Sequence, residues 1–131
     1  MAIIPPFLGP ARIGRASPST ANPNTDGTGT ITDLLTGVAA GTRVLSINVQ
    51  GTGTTVAALV NLFTFDGTSW KLYDQITVSA TTGSGTAKSY RLVTPYTDLV
   101  LPSASWKLGC TLTVLPTSGT VEVSAYGADL T

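Results

Sequence analysis

The residue types on which most enzyme chemistry depends are scarce in this sequence. It contains no histidine and a single cysteine, Cys110. Histidine is the most common general base and metal ligand, so arrangements that pair it with serine or cysteine are excluded. The acidic residues stand singly along the chain, and only one of them is a glutamate. This pattern does not favour a carboxylate pair for glycoside hydrolysis. The sequence predicts no catalytic residue, and we expect a protein that is not an enzyme.

Glycine-rich segments resemble ligand-binding loops only in part. "GTGTTV" at 51–56 lacks the Lys-Ser/Thr ending of a phosphate-binding loop, so we interpret it as a connection between strands. "DGTGT" at 26–30 and "DGTS" at 66–69 each contain one aspartate, whereas a calcium loop needs several spaced carboxylates. These aspartates are predicted to form turns. The sequence therefore predicts no metal, no cofactor and no small-molecule substrate.

Aromatic side chains are the remaining candidates for contact with a ligand, because exposed rings can form a platform for sugars. Trp70 and Trp106 are in phase with aliphatic neighbours and are predicted to be core residues. Tyr73 and Tyr126 are out of phase with the predicted core faces, which makes them candidate interface residues. Cys110 lies in the alternating run "WKLGCTLTV" and is predicted to be a small buried hydrophobe.

The elements predicted to position these residues are short strands. From Gly27 onward apolar and polar residues alternate, as in half-buried antiparallel strands, and glycine-rich turns separate the runs. The predicted strands are 28–36, 42–50, 56–65, 69–79, 86–93, 97–101, 105–115 and 120–128. Eight such strands predict an all-β fold, an antiparallel β-sandwich that is jelly-roll-like.

The alternation also predicts which side chains are buried. Leu45, Ile47 and Val49 are expected on one core face. In "SWKLYDQITVS" the apolar face contains one polar misfit, Asp74, among Trp70, Leu72, Ile76 and Val78. In the last strand the predicted core residues are Val121, Val123 and Ala125. The segment 56–65 is apolar on both faces, which indicates a central strand or one whose outer face another chain covers.

Charged residues make up only 11% of the chain, with seven basic and seven acidic side chains. This balance argues against nucleic acid as a partner, because nucleic-acid-binding domains are basic. A surface with so little charge suits a protein that is packed against neighbours. No run of about 18 apolar residues occurs, so no membrane span is predicted. The start "MAIIPPFLG" lacks the basic region of a signal peptide, and synthesis in the cytoplasm is expected.

Residues 1–26 are predicted to be an extended N-terminal arm that precedes a β-sandwich domain at 27–131. Prolines occur in the arm at positions 5, 6, 10, 18 and 23, so we expect an irregular segment that cannot pair as a strand. Proline also lowers the entropy lost when such a segment orders against a partner. A disordered tail is the alternative, and the apolar start argues against it. The residues predicted to bind a partner are Ile3, Ile4, Phe7, Leu8, Arg12, Ile13 and Arg15.

Several segments between about residues 20 and 130 are similar in order and spacing to a known group of proteins. They are "NTDGTGTI", "AAGTRVLSINVQGTGTT", "LFTFDGTSWKLYDQITV", "LPSASWKLG" and "YGADL". In these segments the chain resembles small β-sandwich proteins encoded among the virion genes of tailed bacteriophages. The resemblance implies a virion component, most directly a capsid decoration (cement) protein, and it implies no catalytic residues.

The resemblance and the arm together predict the partners. These would be the major capsid protein and further copies of this chain, in a trimer at a local threefold axis or a ring over a capsomer, on the capsid surface of the virion. Two other interpretations stay open. One is a head–tail connector, tail or fibre-base component of the virion, and the other is a carbohydrate- or surface-binding module.

Overall fold

The computed structural model describes residues 9–130, which form eight strands and no helix. These residues therefore contain no helix that is long and apolar enough to cross a membrane. The strands are β1 (Ala11–Ala16), β2 (Thr32–Thr36), β3 (Thr42–Gly51), β4 (Ala58–Phe65), β5 (Trp70–Val78), β6 (Arg91–Leu101), β7 (Lys107–Leu112) and β8 (Val121–Asp129).

The strands form two four-stranded sheets. The first sheet has the order β1-β8-β3-β6 and the second has the order β2-β7-β4-β5. Every pair of neighbouring strands is antiparallel. The predicted all-β, antiparallel architecture is thus confirmed, in a sandwich-like arrangement of two sheets around one core.

The core is built from the inward faces of both sheets. Val121, Val123 and Ala125 of β8 are buried, as the alternation predicts. From the second sheet β7 contributes Leu108, Cys110 and Leu112, each with no exposed surface. The prediction for Cys110 is therefore confirmed, and burial raises the pKa of its thiol to about 12. A thiol of this kind packs as a small hydrophobe.

A β-bulge in β3 reverses the prediction for Leu45. Val44 is opposite Gly127 of β8 and Ser46 is opposite Tyr126, so Leu45 is an extra residue in the ladder. An extra residue shifts the alternation by one position. Val44 is consequently buried and Leu45 is 43% exposed, whereas Ile47 and Val49 face the core as predicted.

A second bulge, in β5, overturns the assignment of Trp70 and Leu72 to the core. Leu72 is opposite Phe63 and Asp74 is opposite Leu62, so Tyr73 is the inserted residue. Even-numbered residues therefore face the core in the second half of β5 and face outward in its first half. Ile76 and Val78 belong to the core, but Trp70 does not, and Leu72 is 39% exposed.

The structure has one strand, β6, where the sequence predicts two, at 86–93 and 97–101. Pro95 lies within β6, where it is opposite Ser46 of β3. Proline cannot donate to a ladder and is confined to edge strands and bulges. β6 is an edge strand of the first sheet, and the register with β3 shifts immediately after Pro95. Both conditions that permit a proline are met at this position.

The expectation that the N-terminal segment cannot pair as a strand is wrong for β1. Residues 11–16 pair with β8 in continuous register, from Ala11 opposite Ala128 to Ala16 opposite Val123. The physical reason is that Pro10 and Pro18 flank this stretch without entering it. Gly14 lets β1 approach β2 closely, because a Cβ at this position would collide with the Leu34 carbonyl oxygen. β1 thereby brings one edge of the first sheet against β2.

β4 has a neighbour on both sides, β7 and β5, so its prediction as a central strand is confirmed. Its outer face is covered from within the chain. Phe63 is fully buried without belonging to the core cluster. Opposite it lies Gly109, where an added Cβ would meet the Trp70 ring and the Ile31 methyl group, both within 2.8 Å. The segment that precedes β2 therefore packs over the outer face of the second sheet.

Candidate functional site

The residues predicted to contact a partner are divided among three places. Ile3, Ile4, Phe7 and Leu8 lie outside the described residues. Arg12, Ile13 and Arg15 are all in β1. Tyr126 is in β8, directly opposite Ile13, and Tyr73 is on β5 in the other sheet.

Arg12 serves the fold internally. Its Nη1 donates to Asp129 Oδ1 at 2.9 Å, and its Nη2 donates to the Thr36 carbonyl oxygen at 2.9 Å. These bonds tie β1 to β8 and to β2. The guanidinium that was predicted to bind a neighbour is thus engaged within the chain.

Ile13 and Tyr126 meet on the outer face of the first sheet. The register places Ile13, Tyr126, Ser46 and Pro95 in one row across all four strands. Paired residues of a sheet project from the same face. The bulge in β3 adds Leu45 to this row, because two residues of β3 are opposite Tyr126. Ile13 is 56% exposed, which is the highest value among the large apolar residues described.

The two neighbouring rows extend this apolar surface. One row ends in Val93 on β6, opposite Asn48, and the other ends in Val100, opposite Arg43. Both valines are exposed. We call the surface formed by these five exposed side chains the first-sheet outer face; its members are Ile13, Leu45, Val93, Val100 and Tyr126.

Charged groups surround the first-sheet outer face. Arg15 lies in the row of Val93, Arg43 lies in the row of Val100, and Arg91 lies in the row of Glu122. Arg43 Nη2 donates to the Thr97 carbonyl oxygen at 2.9 Å, and Arg91 Nε donates to Asn48 Oδ1 at 3.3 Å. These contacts hold two of the three guanidinium groups against the sheet.

A shallow depression of about 370 Å³ adjoins the face at the β1–β8 pair. It is lined by Arg15, Ala16, Ser17, Glu122 and Ser124. Both charged groups are exposed, and no buried polar side chain among its lining residues is aimed into it. The depression is therefore open surface beside the first-sheet outer face, without the apolar enclosure that a small-molecule site needs.

Tyr73 is part of a different cluster, at the edge where β5 and β6 approach each other. Its hydroxyl donates to Asp98 Oδ1 at 2.8 Å, and the Tyr96 hydroxyl donates to Asp74 Oδ2 at 2.7 Å. The two rings meet edge to face with centroids 5.8 Å apart. Each bond joins one sheet to the other, so we call these four residues the tyrosine latch.

Burial and the neighbouring carboxylates keep both hydroxyls of the latch protonated. Desolvation and the hydrogen bond to Asp98 raise the pKa of Tyr73 to about 12. Desolvation and the hydrogen bond to Asp74 also raise the pKa of Tyr96 above its usual value. Asp74, the one polar residue on a predicted apolar face, thus has a partner. A polar residue at a core-facing position of an edge strand was the signal for this contact.

Neither tryptophan is a fully exposed ring of the kind that a sugar platform needs. Trp70 is half-buried, with its ring 5.0 Å from that of Phe65 and its indole face beside Lys107 Nζ. Trp106 is half-buried and packs against the core. The assignment of Trp106 to the core is supported, whereas Trp70 belongs to the outer layer of the second sheet.

The isolated aspartates form turns, as predicted. Asp66 Oδ1 accepts bonds from the backbone N–H groups of Thr68 and Ser69, each at 2.9 Å, in the β4–β5 hairpin. Asp26 Oδ1 accepts from the backbone and the hydroxyl of Thr28. These bonds lower the pKa of both carboxyl groups. Within residues 9–130 no three side chains of the metal-binding types cluster in a way that would hold an ion.

The fold and this surface together define a small, all-β protein with an apolar outer sheet face. A scan against protein-family models finds no matching family, and a search of the curated proteins finds no match.

Proposed function

We propose that this protein is a non-enzymatic structural component of a tailed-bacteriophage virion, specifically a capsid decoration (cement) protein. The observation that carries the proposal is the first-sheet outer face, where five large apolar side chains are exposed on one ordered sheet. Single exposed apolar residues are common on proteins, but a contiguous group marks an interaction surface. A protein that covers a shell needs a surface of this kind.

The strand order supports the same class of protein. The orders β1-β8-β3-β6 and β2-β7-β4-β5 make the chain alternate between the two sheets at every step except from β4 to β5. We assign this arrangement to the jelly roll, which consists of eight strands in two Greek keys and occurs in viral capsid and lectin domains. A fold alone does not define a function, so the strand order supports the proposal only together with the face.

The partners in this proposal are the major capsid protein and other copies of this chain, in a trimer or ring on the head. Ile13, Arg15 and Tyr126 are accessible for such contacts, as all three are exposed. The partner-binding arm is retained for residues 1–8, with Ile3, Ile4, Phe7 and Leu8 as its predicted contacts. No nucleic acid, membrane or small-molecule ligand is part of the proposal.

The proposal is tested by adding the purified chain to undecorated heads of the same virus. We expect saturable binding of hundreds of copies per head, measured by sedimentation and quantified protein bands, and greater resistance of the heads to heat. Heads that already carry the chain at full occupancy are the control. A few copies around one axis of the virion would instead indicate a connector, tail or fibre-base component. Absence of binding to any virion part would refute the proposal.

A further inference from the structure

We infer that the first-sheet outer face docks on an acidic protein surface with an apolar centre, and that this surface belongs to a protein other than a second copy of this chain. The inference rests on the proposed function and names the face and the partner chemistry that it uses. Exposed apolar area and charge are distributed unequally between the two sheets.

The two sheets differ in what covers their outer faces. On the second sheet, Phe63 and Thr111 are buried and the chain's own Ile31 and Trp70 meet over Gly109. On the first sheet, Ile13 of the edge strand β1 and Tyr126 beside it on β8 remain exposed in a row that crosses four strands. Among the described residues, the first sheet therefore has the more exposed apolar outer face, since on the strands of the second sheet the exposed large apolar side chain is Leu72.

Charge is also distributed unequally between the first-sheet outer face and the rest of the molecule. In its paired rows, the first-sheet outer face is bordered by Arg15, Arg43 and Arg91 and by one acidic residue, Glu122. Asp98 is also on β6, but it accepts a hydrogen bond from Tyr73 of the other sheet. The whole chain has seven basic and seven acidic side chains, so the rest of the molecule carries an excess of acidic groups. Complementary charge around an interface steers association and selects the partner. A face with an arginine border selects a partner surface bordered by carboxylates.

The charged groups at this border are available to a partner. The ion pairs within residues 9–130 are Arg12–Asp129 and Lys107–Asp33. Arg15, Arg91 and Glu122 take part in neither of these pairs, and all three are exposed. Arginine forms bidentate bonds to carboxylates more readily than lysine does, and all three cations of the face are arginines.

The same distribution argues against packing of this face on its counterpart in a second copy. Such packing would double the arginines around one apolar centre and supply only two glutamates to oppose them. Like charges placed together across an interface disfavour the complex. Nucleic acid would satisfy the arginines but not the apolar row of Ile13, Leu45 and Tyr126. An acidic protein surface satisfies both features of the face.

The test compares two charge reversals of equal size. R15E/R91E changes the border of the first-sheet outer face, whereas K71E/K88E changes exposed lysines outside its paired rows, one on β5 and one in the segment before β6. Binding to undecorated heads of the same virus is measured by sedimentation at low and at physiological salt. We expect R15E/R91E to weaken binding about tenfold or more and K71E/K88E to change it by less than about twofold. The single change E122Q is expected to tighten binding, and salt is expected to reduce these differences.

The outcomes separate this inference from the proposed function. If the wild-type chain binds heads and R15E/R91E binds equally well, the inference is overturned and the proposed function stands. If the wild-type chain does not bind heads, both are overturned.

Light scattering that shows self-association of the wild-type chain, lost in I13S/Y126S, would identify a second copy as the occupant and overturn the inference. Binding to duplex DNA that R15E/R91E abolishes, with head binding unchanged, would overturn it as well. Near-UV circular dichroism of each variant verifies that it is folded.

Discussion

The tyrosine latch leads to a prediction about how the two sheets are held together. Replacing Tyr73 and Tyr96 by phenylalanine removes both hydroxyls that bridge β5 and β6 and leaves the ring contact at 5.8 Å in place. The variants Y73F, Y96F and Y73F/Y96F therefore isolate the hydrogen bonds. Each lost hydroxyl leaves a carboxylate without its bridging donor.

The expected size of the effect follows from the surroundings of each bond. A hydrogen bond to a charged group contributes about 1.5–3 kcal/mol to stability, and exposure reduces this. The Tyr96–Asp74 bond is partly buried, so Y96F is expected to lower the free energy of unfolding by about 1.5 kcal/mol. The Tyr73–Asp98 bond is exposed, and about 0.5 kcal/mol is expected for Y73F. For a chain of this length a loss of about 2 kcal/mol lowers Tm by about 6–8 °C.

Alkaline pH provides an independent readout of the latch. Folding raises the pKa of Tyr73 to about 12 and raises that of Tyr96 as well, so the folded state holds these protons more tightly than the unfolded chain does. Their stabilisation is complete below the unfolded tyrosine pKa of about 10 and is lost as the pH rises from there toward 12. The double variant is expected to lose less stability over this interval than the wild-type chain.

Urea unfolding at several pH values, followed by tryptophan fluorescence, measures both effects. The control is Y126F, because the hydroxyl of Tyr126 donates no hydrogen bond within residues 9–130. We expect Y126F to leave the unfolding midpoint within error of the wild-type value. Equal midpoints for Y96F and Y126F, together with unchanged alkaline unfolding of Y73F/Y96F, would refute the latch as a stabilising element.

Three further predictions concern the core and the closed edge of the two sheets. Leu108→Ala removes a fully buried side chain and is expected to cost about 3–4 kcal/mol of stability in urea unfolding, and a loss under 1 kcal/mol would contradict its place in the core. Gly14→Ala places a Cβ against the Leu34 carbonyl oxygen and is expected to cost about 1–3 kcal/mol, whereas Gly85→Ala, with open space around it, serves as its control. Cys110 is expected to resist a thiol reagent in the native protein and to react fully in urea, and rapid native reaction would show that its strand opens.

Alternation along the chain was sufficient to predict the buried face of some strands but not of others. Leu108, Cys110 and Leu112 follow a strict period of two, and the structure buries all three. Leu45 and Trp70 were misassigned because a bulge in each strand shifts the parity part of the way along it. A bulge depends on the register with a neighbouring strand, and that register is not encoded in the local pattern.

Only part of the candidate site could be predicted from the sequence, for a related reason. Ile13 and Tyr126 were each predicted to contact a partner, from unrelated arguments, yet they are 113 positions apart and their contact depends on the pairing of β1 with β8. β1 itself was missed because the prolines around it dominate the composition of the segment. Arg12 was assigned to a partner because its acceptor, Asp129, becomes its neighbour only through the same pairing.

The position of β8 between β1 and β3 also affects how the chain can fold. Among the neighbouring strands of residues 9–130, only β4 and β5 are consecutive in sequence, and all other pairings join distant parts of the chain. A topology with so few local contacts folds slowly. During synthesis β1 and β3 emerge before β8 and have no common neighbour until β8 has left the ribosome. Until then the nascent chain exposes unpaired strand edges, a state that is prone to aggregation.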